Sequence, residues 1–119
     1  MKKVYVDGFV LPVPKKNIKA YKKMATLARK VWLDHGAIDY VEAIADDVKK
    51  GKTTSFPQSV KLKSGEVVVF AWITYKSRTD RNRILAKVMK DARLSDSMSE
   101  DNMPFDGMRM FWGGFKQIV

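Results

Sequence analysis

VVVFAWITY, residues 67–75, decides the fold. A strand that lies on a surface alternates apolar and polar residues. This one does not: Val68, Phe70 and Trp72 point one way and Val69, Ala71 and Ile73 the other, so both flanks need a cover. The run is entered through the turn Lys63-Ser64-Gly65-Glu66, which reads as a hairpin with a short strand near residue 59 before it.

Working outward, residues 3–13 form a strand with Val4, Val6, Gly8 and Val10 on one side and Tyr5, Asp7, Phe9 and Leu11 on the other. Pro12 and Pro14 end it. Residues 17–35 carry Ile18, Tyr21, Ala25, Ala28, Val31, Trp32 and His35 at three- and four-residue spacing, one apolar stripe of a helix. Asn17 is placed to cap it and Gly36 to close it. A strand is predicted over 37–45. A second helix runs over about 78–91, started by Ser77 with Asp80, with Ile84, Leu85, Val88 and Met89 inward. An acidic loop over 94–107 leads to a last strand, 108–118. The predicted class is α+β, with the ferredoxin-like order βαββαβ, an antiparallel sheet and both helices on one face. That leaves the second flank of 67–75 bare. The simplest cover is an identical sheet, so a homodimer is expected. Gly113-Gly114 would then be a bend, or a place where another backbone comes close.

The 119 residues fit one domain, 1–119, with room for a single core. There is no cysteine, which removes disulfides, thiolate metal sites and a cysteine nucleophile, and fits a reducing cytoplasm. Asp7 splits the N-terminal apolar run, so it does not read as a signal peptide. No stretch approaches 18 apolar residues, so no membrane partner is expected. The net charge is +10, much of it in residues 1–31. Lys19, Lys22, Lys23, Arg29 and Lys30 share the polar side of the first helix. An RNA-binding face is the alternative functional reading of that side, and a solvated surface the plainer one.

Chains of this kind share a set of short motifs that recur here in order: YVDGF (5–9), VP (13–14), HGA (35–37), GK (51–52), VVFAW (68–72), MPFDG (103–107) and GGFK (113–116). On these the sequence resembles the YbaA-like family of bacterial proteins of unknown function, over nearly its whole length. The resemblance implies a ferredoxin-like fold of the dimeric α/β-barrel type. It brings a superfamily that holds cofactor-free monooxygenases, lactone isomerases and haem enzymes. It brings no catalytic residues to transfer, and a label tied to signal-recognition-particle RNA.

Four side chains carry the chemistry the sequence could support. His35 is the only histidine, a general base or haem ligand if it faces a cavity, and a packed helix-end residue otherwise. Asp7 and Glu42 are acids inside strands, where acids are rare, and become proton-transfer groups if they face the helices. Arg109 is positioned to pair with Asp7 if the first and last strands are neighbours. Trp32, Tyr40, Trp72, Tyr75 and Trp112 could line an aromatic pocket for a flat organic ligand, or pack as core. Asp96, Glu100 and Asp101 lack the spacing of a calcium loop and read as solvated. Gly51-Lys52-Thr53 lacks the upstream glycine of a phosphate loop, and no GxGxxG or GxSxG occurs. No cofactor or metal is predicted. The expected function is a cytoplasmic homodimer that binds a small organic molecule between sheet and helices.

Overall fold

A computed structural model describes residues 3–97 and 103–119. Strand β1 spans Tyr5–Pro14, helix α1 Ile18–Asp34, β2 Asp39–Ile44, α2 Phe56–Ser59, β3 Glu66–Tyr75, α3 Arg78–Met89, α4 Ala92–Ser97 and β4 Phe111–Lys116. The four strands form one antiparallel sheet in the order β2-β3-β1-β4. β1 and β3 pair along their full lengths, from Tyr5 opposite Tyr75 to Pro14 opposite Glu66. Pro12 therefore does not end β1 as expected. It lies beyond Val10, where pairing with β4 stops, so its missing N–H interrupts no ladder on that side.

The two flanks of β3 have different covers. Val69, Ala71, Ile73 and Tyr75 are buried on the helix side, where Ile73 and Tyr75 pack with Val31, Trp32, Ile84 and Val88, and Val69 packs with Tyr21 and Ala25. The buried stripe of α1 is Tyr21, Ala25, Ala28, Val31 and Trp32, as the spacing predicts. On the opposite flank, Val68 and Val10 are buried against Val60 of the chain's own 56–62 segment, and Phe56 meets Phe70 edge-on. Beyond that segment the face is open: Phe70 is 41% exposed, Phe111 47% and Phe115 65%. Gly8 and Gly113 stand opposite each other in the middle of this open face, with Trp72 across from Gly8.

Several local expectations change. The short strand near residue 59 is instead a helical turn, α2, started by Ser55 as N-cap with Pro57 in its first turn. Asn17 sits at the head of α1 but its amide does not cap the helix. It donates to the Pro104 carbonyl at 3.0 Å. Ser77 does cap α3, accepting from the Asp80 N–H at 3.1 Å. Met89 is exposed rather than inward, because α3 buries only Ile84 and Val88 fully. The 94–107 loop contains α4, and β4 starts at Phe111 after a 3-10 turn over Gly107–Arg109. Gly36 closes α1 with φ +112°, the left-handed backbone expected of it. No helix among the described residues is long and apolar enough to cross a membrane.

Candidate functional site

Strand periodicity puts Tyr40 and Glu42 on the same side of β2, facing α1. From α1, Tyr21 reaches the same carboxylate. The Tyr21 hydroxyl donates to Glu42 Oε1, and the Tyr40 hydroxyl donates to Oε2 at 2.8 Å. Burial, and then the adjacent Glu42 charge, hold both phenols well above their usual pKa, so each keeps its proton and acts as a donor. Arg29 Nε donates to the Tyr40 carbonyl at 3.2 Å and ties β2 to the helix. Trp32 lies against the Tyr40 ring and Phe105 against the Tyr21 ring.

Two cavities meet at this trio. The outer one, about 450 Å³, is a cleft between α1 and β2 that includes Lys22 and Arg29. The inner one, about 150 Å³, runs between sheet and helices and is walled by apolar side chains such as Leu11, Met24, Trp32 and Ile73. Tyr21, Ala25, Tyr40 and Glu42 border both. The arrangement offers a fixed acceptor at the mouth of a largely apolar chamber.

A second polar cluster lies under α3. Asp7, on β1, is 1% exposed. Its charge partner is Arg81, not Arg109: Arg81 Nε stands 3.8 Å from Asp7 Oδ1, and among the described residues neither atom has a hydrogen-bond partner. Arg81 also donates to the Tyr5 hydroxyl at 3.1 Å and lies over the rings of Tyr5 and Trp112. Trp32 Nε1 donates to the buried Tyr75 hydroxyl at 3.0 Å. Burial pushes the Asp7 carboxyl up, while the Arg81 charge and a hydrogen bond from Tyr75 pull against it. A carboxyl raised on folding contributes stability below its unfolded value of 3.8, and that contribution is lost as pH rises through the folded value. Asp7→Asn should therefore gain stability relative to the native chain as pH is raised from acid to neutral. Urea denaturation at a series of pH values checks this; a difference that does not change with pH would refute it.

The remaining predicted residues are dispersed. Arg109 is in the 3-10 turn before β4 and binds Glu66 through two hydrogen bonds of 2.7 and 2.6 Å, so the expected pairing with Asp7 is replaced. Their strands are indeed neighbours, but Asp7 faces Gly114, five residues past Arg109. His35 lines neither cavity. Its Nε2 is 2.8 Å from Asp91 Oδ2, and Asp91 in turn binds Arg93. The aromatic set is divided as well. Trp32 and Tyr40 border the inner cavity, Tyr75 is core, Trp72 faces the open flank, and Trp112 lies beside Arg81. Lys19, Lys22, Lys23, Arg29 and Lys30 are all exposed. Asp96 is exposed; Glu100 and Asp101 lie outside the described residues. Sequence reasoning missed Arg81 and Tyr21. The signal for Arg81 was its spacing, three residues before Ile84 and seven before Val88, which puts it on the buried stripe of α3.

A family model described as "Protein of unknown function (DUF1428)" matches residues 4–107. "Uncharacterized protein YbaA" of Escherichia coli (strain K12) is 44% identical over 115 residues, covering 97% of each chain. The protein of the same name from Shigella flexneri matches to the same extent. Among solved structures, "De novo designed protein Foldit4" aligns over 98% of both chains with a TM-score of 0.45 and 9% identity, too distant to support an argument. The chain belongs to the YbaA-like family of proteins of unknown function.

Proposed function

We propose that this family member is a homodimer of ferredoxin-like subunits that binds a small, mostly apolar organic molecule between α1 and β2. One observation carries the reading: a carboxylate, Glu42, is held by two phenolic donors where an open cleft meets an apolar chamber. Ligand sites commonly combine apolar walls with a few fixed polar groups. An acid placed there for stability alone would be an expensive choice, since a carboxylate that faces a cavity has given up part of its hydration. The sheet order β2-β3-β1-β4 supports the ferredoxin-like arrangement, and the exposed Phe70, Phe111 and Phe115 support the homodimer.

The test is a thermal-shift screen of the full chain against small organic compounds. A ligand at a hundred times its Kd adds about 2.7 kcal/mol to stability, an easily read shift. At least one compound should raise the melting temperature, and Glu42→Gln should remove that rise. A hit unaffected by Glu42→Gln, or an empty screen, would overturn the proposal.

A further inference from the structure

The inner chamber has a one-sided hydrogen-bonding capacity. Among the described residues, its polar side-chain groups are the Glu42 carboxylate, the Tyr21 and Tyr40 hydroxyls and the Trp32 indole N–H. Every donor among them is committed: both hydroxyls donate to Glu42, and the indole donates to Tyr75. What remains is acceptor capacity. Each carboxylate oxygen accepts one of these hydrogen bonds and can accept another, and each phenolic oxygen keeps a lone pair. Among the described residues, a ligand carbonyl or carboxylate would find no uncommitted side-chain donor there, and a carboxylate would also meet the charge of Glu42. A ligand O–H or N–H would find an ionic acceptor in low dielectric, where such a bond is strongest.

Size adds a second restriction. A largely apolar cavity of about 150 Å³ is the size that accommodates a benzene ring. The cations Lys22 and Arg29 belong to the outer cleft, not to the chamber, so they do not relax the donor requirement inside.

We infer that the chamber selects a single aromatic ring bearing a neutral hydrogen-bond donor, a phenol or an aniline, that donates to Glu42. The inference rests on the binding reading above and adds the chemical class. Phenol and toluene are nearly isosteric, and only phenol can donate. They are titrated separately into the full ¹⁵N-labelled chain, following the Trp32 indole and Ala71 amide signals by NMR. Phenol should bind at least about tenfold more tightly than toluene, the usual worth of a hydrogen bond to a charged group. Aniline should follow phenol. Glu42→Met, of similar length and without a strong acceptor, should reverse the order. Should that variant not fold, the comparison on the native chain still decides. Toluene binding as tightly as phenol to the native chain would overturn the donor rule while leaving the cavity as a ligand site. Failure of both probes to reach the Trp32 signal would overturn the ring-sized chamber and the binding site together.

Discussion

Replacing Arg109 by methionine should lower the melting temperature by roughly 10 °C or more, a large effect for a side chain outside the apolar core. Arg109 joins the entry to β4 to the segment from Val60 to Glu66, 43 to 49 residues earlier in the chain. It grips Glu66 with two hydrogen bonds and donates to the Asp106 carboxylate at 2.9 Å and to the carbonyls of Lys61 at 3.1 Å and Val60 at 3.4 Å. The hairpin turn, the α2 segment and the entry to β4 are thus fixed by one guanidinium, whose forked donors match a carboxylate in a way lysine cannot. Its loss strands the Glu66 carboxylate, only 8% exposed, without its counter-ion. The pH dependence follows from the same contact. The Arg109 hydrogen bonds hold Glu66 and Asp106 below their unfolded values of 4.5 and 3.8. Stability from a lowered carboxyl is present above the unfolded value and lost as pH falls through the folded one. The deficit of Arg109→Met should accordingly be widest at neutral pH and narrow in acid. Arg109→Met combined with Glu66→Met should recover a good part of the loss, since an apolar pair can replace a buried ionic one. Thermal denaturation at neutral and acid pH measures all three; a single variant that melts within about 2 °C of the native chain would refute the assignment.

The two adjacent glycines of β4 should respond oppositely to alanine. Gly114 faces the helices, opposite Asp7. A Cβ there would collide with the Tyr5 hydroxyl and lie 2.8 Å from Arg81 Nη2, in a layer where the arginine is sandwiched against Tyr5 and Trp112. Gly114→Ala should cost about 2 kcal/mol, typical of an overpacked site, and should displace Arg81 from Asp7. Gly113 points to the open flank, where an added Cβ would meet only the Phe115 ring at an ordinary 3.7 Å. Gly113→Ala should leave the subunit as stable as before or slightly firmer. In the proposed homodimer its cost appears elsewhere, as weaker association, because the methyl group keeps the facing sheet from closing on the Gly8–Gly113 floor. Urea denaturation and sedimentation of both variants separate the effects. Equal unfolding curves for Gly114→Ala and the native chain would contradict the first; unchanged association of Gly113→Ala would contradict the second.

These contrasts also indicate what the sequence could reveal. The two-sided apolar run of β3 and the stripe of α1 were legible because strand and helix periods impose them. α2 replaces the short strand expected near residue 59, although Ser55 and Pro57 already mark a helix start. Glu42 stood out as an acid in a strand, and its orientation toward α1 follows from the period of β2. Its second partner did not stand out. Tyr21 is 21 residues away and looks like one more apolar stripe residue; nothing local distinguishes a tyrosine whose hydroxyl is used from one that is only packed. The same holds for Arg109 and Glu66, joined across 43 residues. Such pairs depend on how loops return over the sheet, and hydrophobic pattern does not encode that path.

The outer strands of the sheet, β2 and β4, are six residues long, against ten for β1 and β3. A rim that brief gives another molecule's backbone little to copy, and Arg29 already occupies the Tyr40 carbonyl on one side. The oily flank is thereby separated from the danger that usually goes with it: the chain can display phenylalanines broadside without inviting stacked fibres to grow from its borders.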